Sequence, residues 1–159
     1  MLETRTEAID RLTGGAAAEL KAGRPKVWAA LEASQEALLG ASAIPDVSPA
    51  ERQLVALAIA VWHGDAVAAD FYAGAAAAAG AGSAAIGSAR AGEAAGPRLA
   101  GMLAHARLLT FAPAEATPAD LAALRAAGIS EDGIISLAQL IAYISHQLRA
   151  AHLLRVIGG

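Results

Sequence analysis

The sequence contains no cysteine. That absence removes disulfides, thiolate-bound metals and every reaction that needs a sulfur nucleophile, and it agrees with a reducing, cytoplasmic home. Aromatic residues are nearly as scarce, with two each of Trp, Tyr and Phe. Any core must therefore be assembled from Ala, Leu, Ile and Val on closely approaching helices. Basic residues are not in excess, since 12 Lys and Arg face 15 Asp and Glu and are scattered along the chain; nucleic acid is not an expected partner. A membrane span needs about 20 strongly apolar residues, and the apolar stretch from Leu54 is broken by His63, Asp65 and Asp70, so no membrane association is expected. Residues Met1 to Asp10 carry Glu3, Arg5, Glu7 and Asp10 where a secretory signal would be apolar.

What is present is an Ala-rich pattern punctuated by Gly and Pro, with no sustained alternation of β-branched residues. The fold class this implies is all-α. At 159 residues the chain fits one domain, divided here into an N-terminal helical extension over residues 1–47 and a core over residues 48–159. A mean hydropathy of +0.45 leaves apolar surface to be covered by other copies, so a homo-oligomer is expected.

Segment by segment, the pattern predicts a helix from Thr6 to Ala22, a second from Pro25 to Leu39, and a linker with Pro45 reaching Val47. Ser48-Pro49-Ala50-Glu51 reads as a capping box opening a helix that runs to Trp62. Gly64 permits a kink or restart before Asp65 to Ala79. The Ala/Gly-rich region from Gly74 to Gly96 predicts short helices, because each interior Gly costs about 1 kcal/mol. Pro97 to Phe111 places Leu99, Met102, Leu103, Ala106 and Leu109 on one face. Thr117-Pro118-Ala119-Asp120 opens a helix ending at Gly128, and Ser130 caps a last one running to Ile157, stopped by Gly158-Gly159.

Chemistry-bearing motifs are few. His63 and Asp70 lie two turns apart, about 10 Å along a helix. His146 and His152 are six apart on different faces, and His105 belongs to another helix. Ligand spacing for a metal is missing. No Gly-rich phosphate loop follows a strand and no nucleophile elbow occurs, so neither cofactors nor a hydrolase are implied. Trp62 reads as a core or interface aromatic.

Two stretches resemble the carboxymuconolactone decarboxylase and alkyl hydroperoxidase D-like family, in its peroxidase-related branch. One is Ser48-Pro49-Ala50-Glu51-Arg52-Gln53-Leu54 through Trp62-His63-Gly64-Asp65; the other runs from Thr117-Pro118-Ala119-Asp120-Leu121 through Leu124-Arg125-Ala126-Ala127-Gly128-Ile129-Ser130 and Ala142-Tyr143 to Arg149. Together they span roughly residues 48 to 152. The resemblance implies a helical bundle that assembles into trimers or higher oligomers. It also implies a relay of an acid, a Cys-x-x-Cys pair and a His, whose positions fall here on Gln53, Asp65, Ala68 and Tyr72. Neither a carboxylate nor a methyl group turns over a disulfide, so thiol-dependent peroxide reduction is excluded.

Asp65, Ala68 and Tyr72 share a helical face. One reading makes Asp65 a base and Tyr72 or His63 a proton donor in altered acid–base chemistry, provided that Asp65 and Tyr72 converge on one cavity. The plainer reading makes Asp65 the cap of the helix after Gly64 and Tyr72 a packing residue with its hydroxyl satisfied at the rim. A third treats the chain as a structural or interaction oligomer. The preferred reading is a family member without redox turnover that binds a small molecule or a protein partner.

Overall fold

The computed structural model describes residues 8–16, 18–40 and 45–158, with backbone alone for residues 19–21. Its elements, in chain order, are α1 (Ala8–Thr13), α2 (Ala18–Gly23), α3 (Pro25–Leu39), α4 (Pro49–Trp62), α5 (Ala66–Ala78), α6 (Ser83–Arg90), α7 (Pro97–Phe111), a 3-10 turn (Pro113–Glu115), α8 (Pro118–Ala126) and α9 (Glu131–Gly158). No strand occurs among the described residues, in line with the all-α reading.

The first predicted helix divides. Gly14 and Gly15 adopt φ of 61° and 84°, left-handed values that suit glycine and end α1 before α2 begins. Its expected start at Thr6, the residues 41–44 of the predicted linker, and Gly159 lie outside the described residues. Elsewhere the punctuation acts locally as its chemistry requires. The Ser48 hydroxyl accepts from the Glu51 N–H at 3.2 Å while the Glu51 carboxylate accepts from the Ser48 N–H at 2.8 Å. Ser130 Oγ accepts from the Gly133 N–H at 3.1 Å. At Thr117 the carboxylate of Asp120 accepts both the backbone N–H and the hydroxyl, each at 2.7 Å.

Helix α4 is the centre of the fold. From Leu54 to Ala60 every side chain is buried, because α5, α6, α7 and α9 surround it. Burying residues such as Leu57 and Ile59 contributes about 1.5–3 kcal/mol apiece. Helix α5 folds back on α4 after Gly64 (φ 70°), and its buried face is Ala68, Ala69, Tyr72, Ala73 and Ala76; small side chains let the two backbones approach closely. The long α9 lies across α1, α3, α4 and α7. Residues before 48 join the same buried cluster through Ile9, Leu12, Trp28, Leu31 and Leu39.

Two arginines tie this core to its loops. Arg52 is fully buried; its Nε donates to the Val47 carbonyl at 2.9 Å, and its Nη1 to the Leu38 carbonyl at 3.2 Å and Ser136 Oγ at 2.8 Å. Arg98 pairs with Glu51 at 2.7 Å and donates to the carbonyls of Asp46, Ala127 and Gly128. It thereby joins the capping box of α4 to the end of α8.

Candidate functional site

The four relay positions and His63 lie in three different environments. Asp65 is the N-cap of α5, accepting the Ala68 N–H at 3.0 Å. Its other oxygen receives Nη2 of Arg155 from α9 at 2.5 Å, and Arg155 Nη1 also donates to the Leu12 carbonyl at 2.8 Å. The side chain is thus used twice over, once against the N–H groups that the first helical turn leaves without intrahelical partners and once against a cation.

His63, the C-cap of α4, shares a cavity of about 550 Å³ with Asp65; its walls include Val67, Leu148, Arg149, His152 and Arg155. The imidazole lies 5.9 Å, centroid to centroid, from the Phe111 ring, and its Nε2 is buried with no hydrogen-bond partner among the described residues. Burial pushes the His63 pKa below its ordinary value; Arg149 pushes the same way and Asp65 opposes both. Arg149 is exposed and makes no ion pair among the described residues. With Asp65 matched by Arg155, Arg149 is left as the charged residue on the cavity wall without an ion-pair partner among the described residues.

Ala68 is fully buried and brings no chemistry. Tyr72 is also fully buried and lies in the core rather than at the rim expected for its hydroxyl. That hydroxyl donates to Gln147 Oε1 in a short contact. Gln147 Nε2 donates to the Tyr143 hydroxyl at 2.8 Å and to Gln35 Oε1 at 3.0 Å, and the Tyr143 hydroxyl lies 2.9 Å from Gln35 Oε1 and 3.1 Å from the Leu31 carbonyl. Desolvation raises the pKa of Tyr72 well above the usual phenol range and that of Tyr143 likewise, with Glu32 adding to both. A phenol so held stays neutral and is a poor proton donor at neutral pH. Tyr72 is absent from the walls that Asp65 lines, so the convergence required for acid–base chemistry between these two side chains does not occur.

Gln53 lies elsewhere again. It is 8% exposed, its Oε1 has no partner among the described residues, and it lines a second cavity of about 600 Å³ with Glu32, Gln35, Glu36, Leu39 and Phe71.

His152 joins the first cavity and His146 lines a separate one beside Tyr143. His105 is buried, and burial lowers its pKa against the pull of Asp120. Among the described residues no three His, Cys, Asp or Glu side chains are grouped to hold a metal. Trp62 is half-buried, with the Arg107 guanidinium 5.4 Å from its ring centroid.

Sequence reasoning missed Arg155, Arg149, Gln147 and Gln35. A signal for Gln147 existed: it stands four residues after Tyr143, among the apolar residues Leu140, Ile144, Leu148 and Ala151 of a helix, where a buried amide demands a partner. Arg155 had none, since its partner is 90 residues away. No family model matches the chain, and no curated protein matches it either. No helix among the described residues is long and apolar enough to cross a membrane.

Proposed function

We propose that the protein is a redox-silent relative of the carboxymuconolactone decarboxylase and alkyl hydroperoxidase D-like proteins that binds a small organic carboxylate between α4, α5 and α9. The observation that carries this reading is the cavity itself: Arg149, His63 and His152 stand around it while its acid, Asp65, is already paired with Arg155. A carboxylate there meets the exposed guanidinium of Arg149, the first turn of α5 and an imidazole nitrogen in need of a partner. Ala66, Val67 and Leu148 supply apolar contact for its hydrocarbon part. The ancestry rests on the two resembling stretches and on Asp65 standing at a helix start where the relatives keep a thiolate, both being anions suited to the positive end of α5.

The test is an NMR titration of the His63 imidazole with sodium hexanoate. A bound carboxylate stabilises the imidazolium, so the His63 pKa rises on binding, and Arg149→Ala weakens the effect about tenfold. An unchanged His63 titration up to millimolar hexanoate rejects the carboxylate site. Hydrogen peroxide consumption with dithiothreitol above a protein-free blank rejects the redox-silent reading.

A homo-oligomer is part of the same proposal. Leu153, Val156 and Ile157 form an exposed apolar face at the end of α9, on neighbouring positions of the helix, and light scattering after size exclusion measures the assembly. A mass equal to one chain counts against it.

A further inference from the structure

The second cavity, between α1, α3, α4 and α5, shares no lining residue with the one that holds Asp65, so its chemistry is independent of the carboxylate reading. We propose that it binds a small uncharged ligand with a cis-amide edge, an N–H beside a carbonyl as in a lactam, read by the side-chain amides of Gln35 and Gln53.

Gln35 is held in one orientation by the polar network behind it. The fully buried Tyr72 has a hydroxyl proton whose acceptor is Gln147 Oε1, which leaves Gln147 Nε2 to donate to the Tyr143 hydroxyl at 2.8 Å and to Gln35 Oε1 at 3.0 Å. The reverse setting of Gln147 would strand the Tyr72 proton in the core. Gln35 Oε1, which also lies 2.9 Å from the Tyr143 hydroxyl, is therefore the end tied to the network. Its Nε2 makes no hydrogen bond among the described residues, and the residue is half-buried on the cavity wall. The wall thus carries a positioned N–H donor suited to a carbonyl oxygen.

Gln53 supplies the complementary half. More than nine-tenths of it is buried, it lines the same cavity, and its Oε1 has no donor among the described residues. A buried carbonyl oxygen left in that state costs about 1–3 kcal/mol, which a ligand N–H relieves and a ligand offering only acceptors does not. No hydrogen bond among the described residues fixes the Gln53 amide, so it turns about its last torsion to meet the ligand. The charged residues on the wall do not specify an ion: Arg11 is exposed, and Glu32 and Glu36 already interact within the chain. Recognition then falls to the neutral amides, and an ion buried against them would lose hydration without gaining a counter-charge. Leu39, Phe71 and Ala75 add apolar surface that suits the hydrocarbon part of a ring.

The experiment uses the full chain and ε-caprolactam as the probe. Its controls, similar in size, are N-methylcaprolactam, which lacks the N–H, cycloheptanone, which keeps only the carbonyl, and sodium hexanoate, which is charged. Binding is followed by the side-chain amide resonances of Gln35 and Gln53. Saturable movement of both with caprolactam is expected, with each control at least about tenfold weaker. Gln53→Leu lowers the affinity about tenfold. Gln35→Glu replaces the donating nitrogen by oxygen, keeps the acceptor used by Tyr143 and Gln147 and lowers the affinity as much, so it decides the matter if Gln53→Leu fails to fold. Comparable affinity of any control at these amides overturns the proposal, as does failure of either amide to respond to caprolactam or unchanged affinity in either folded variant.

Discussion

Arg155 and Asp65, 90 residues apart in the chain, meet with Nη2 2.5 Å from Oδ2, so that the last helix is tied to the cap of α5. The same guanidinium reaches the Leu12 carbonyl at 2.8 Å, which brings α1 into the junction.

Replacing Asp65 separates its two roles. Asp65→Asn keeps an oxygen able to cap α5 and loses the ion pair, whereas Asp65→Ala loses both. A lost cap costs about 1 kcal/mol; the pair adds less than about 1 kcal/mol because Arg155 remains about a quarter exposed. Urea denaturation should therefore rank wild type above Asp65→Asn and Asp65→Asn above Asp65→Ala. An alanine variant as stable as wild type would remove the capping role.

Tyr72→Phe leaves Gln147 Oε1 buried without its donor, at a cost of about 1–3 kcal/mol. Gln147→Leu removes that acceptor together with the Nε2–H bonds to Tyr143 and Gln35, so the Tyr72–Gln147 interaction is read from a double-mutant cycle, in which the two single losses sum to more than the loss of the double variant. Because burial holds both tyrosines of the chain protonated, tyrosinate absorbance should stay low around the ordinary phenol value of about 10 for as long as circular dichroism remains native.

Arg52 is the most demanding residue of the core, a guanidinium with no exposed surface that binds two loop or helix-end carbonyls and Ser136. Arg52→Met strands those acceptors and should cost about 2–5 kcal/mol in chemical unfolding. Arg52→Lys is not expected to rescue it, since an ammonium on a flexible stem cannot reproduce the planar fork. Stability in Arg52→Met within experimental error of wild type would show those bonds to be dispensable.

Acid should weaken the fold through two histidines. Burial lowers the pKa of His63 and His105 in the folded chain, while the unfolded value is about 6.5. Above that pH both states are neutral and the full contribution is present. As pH falls below it the unfolded chain takes up protons first, and stability declines until the folded pKa values are passed. The melting temperature should drop between about pH 7 and pH 5, and His63→Gln with His105→Gln should flatten that slope. An unchanged slope in the double variant would assign it to other groups.

The secondary structure was legible in the sequence wherever a local rule governs it. Ser48 with Glu51, Ser130 with Gly133 and Asp65 with Ala68 each join a side chain to a backbone group three residues on, an interaction that depends on nothing distant. The early break at Gly14-Gly15 was the exception, because a helical pattern tolerates glycine until the chain actually adopts positive φ. The candidate site was legible only in part. The spacing of Asp65 and Tyr72 puts them on one helical face, yet a shared face does not make a shared cavity.

The sequence by itself determined that this chain is helical, where most of its helices begin and end, and that no thiol chemistry is open to it, because capping, helix propensity and the presence of sulfur are properties of residues and their immediate neighbours. Tertiary structure alone decided which partner each polar side chain obtained. Arg155 went to Asp65, Gln147 to Tyr72 and Tyr143, and Gln53 to a cavity wall with its carbonyl unpaired. Those outcomes depend on how α9 and α3 lie against α4 and α5, and side-chain burial, charge and hydrogen bonding acquire their values only once the helices have packed.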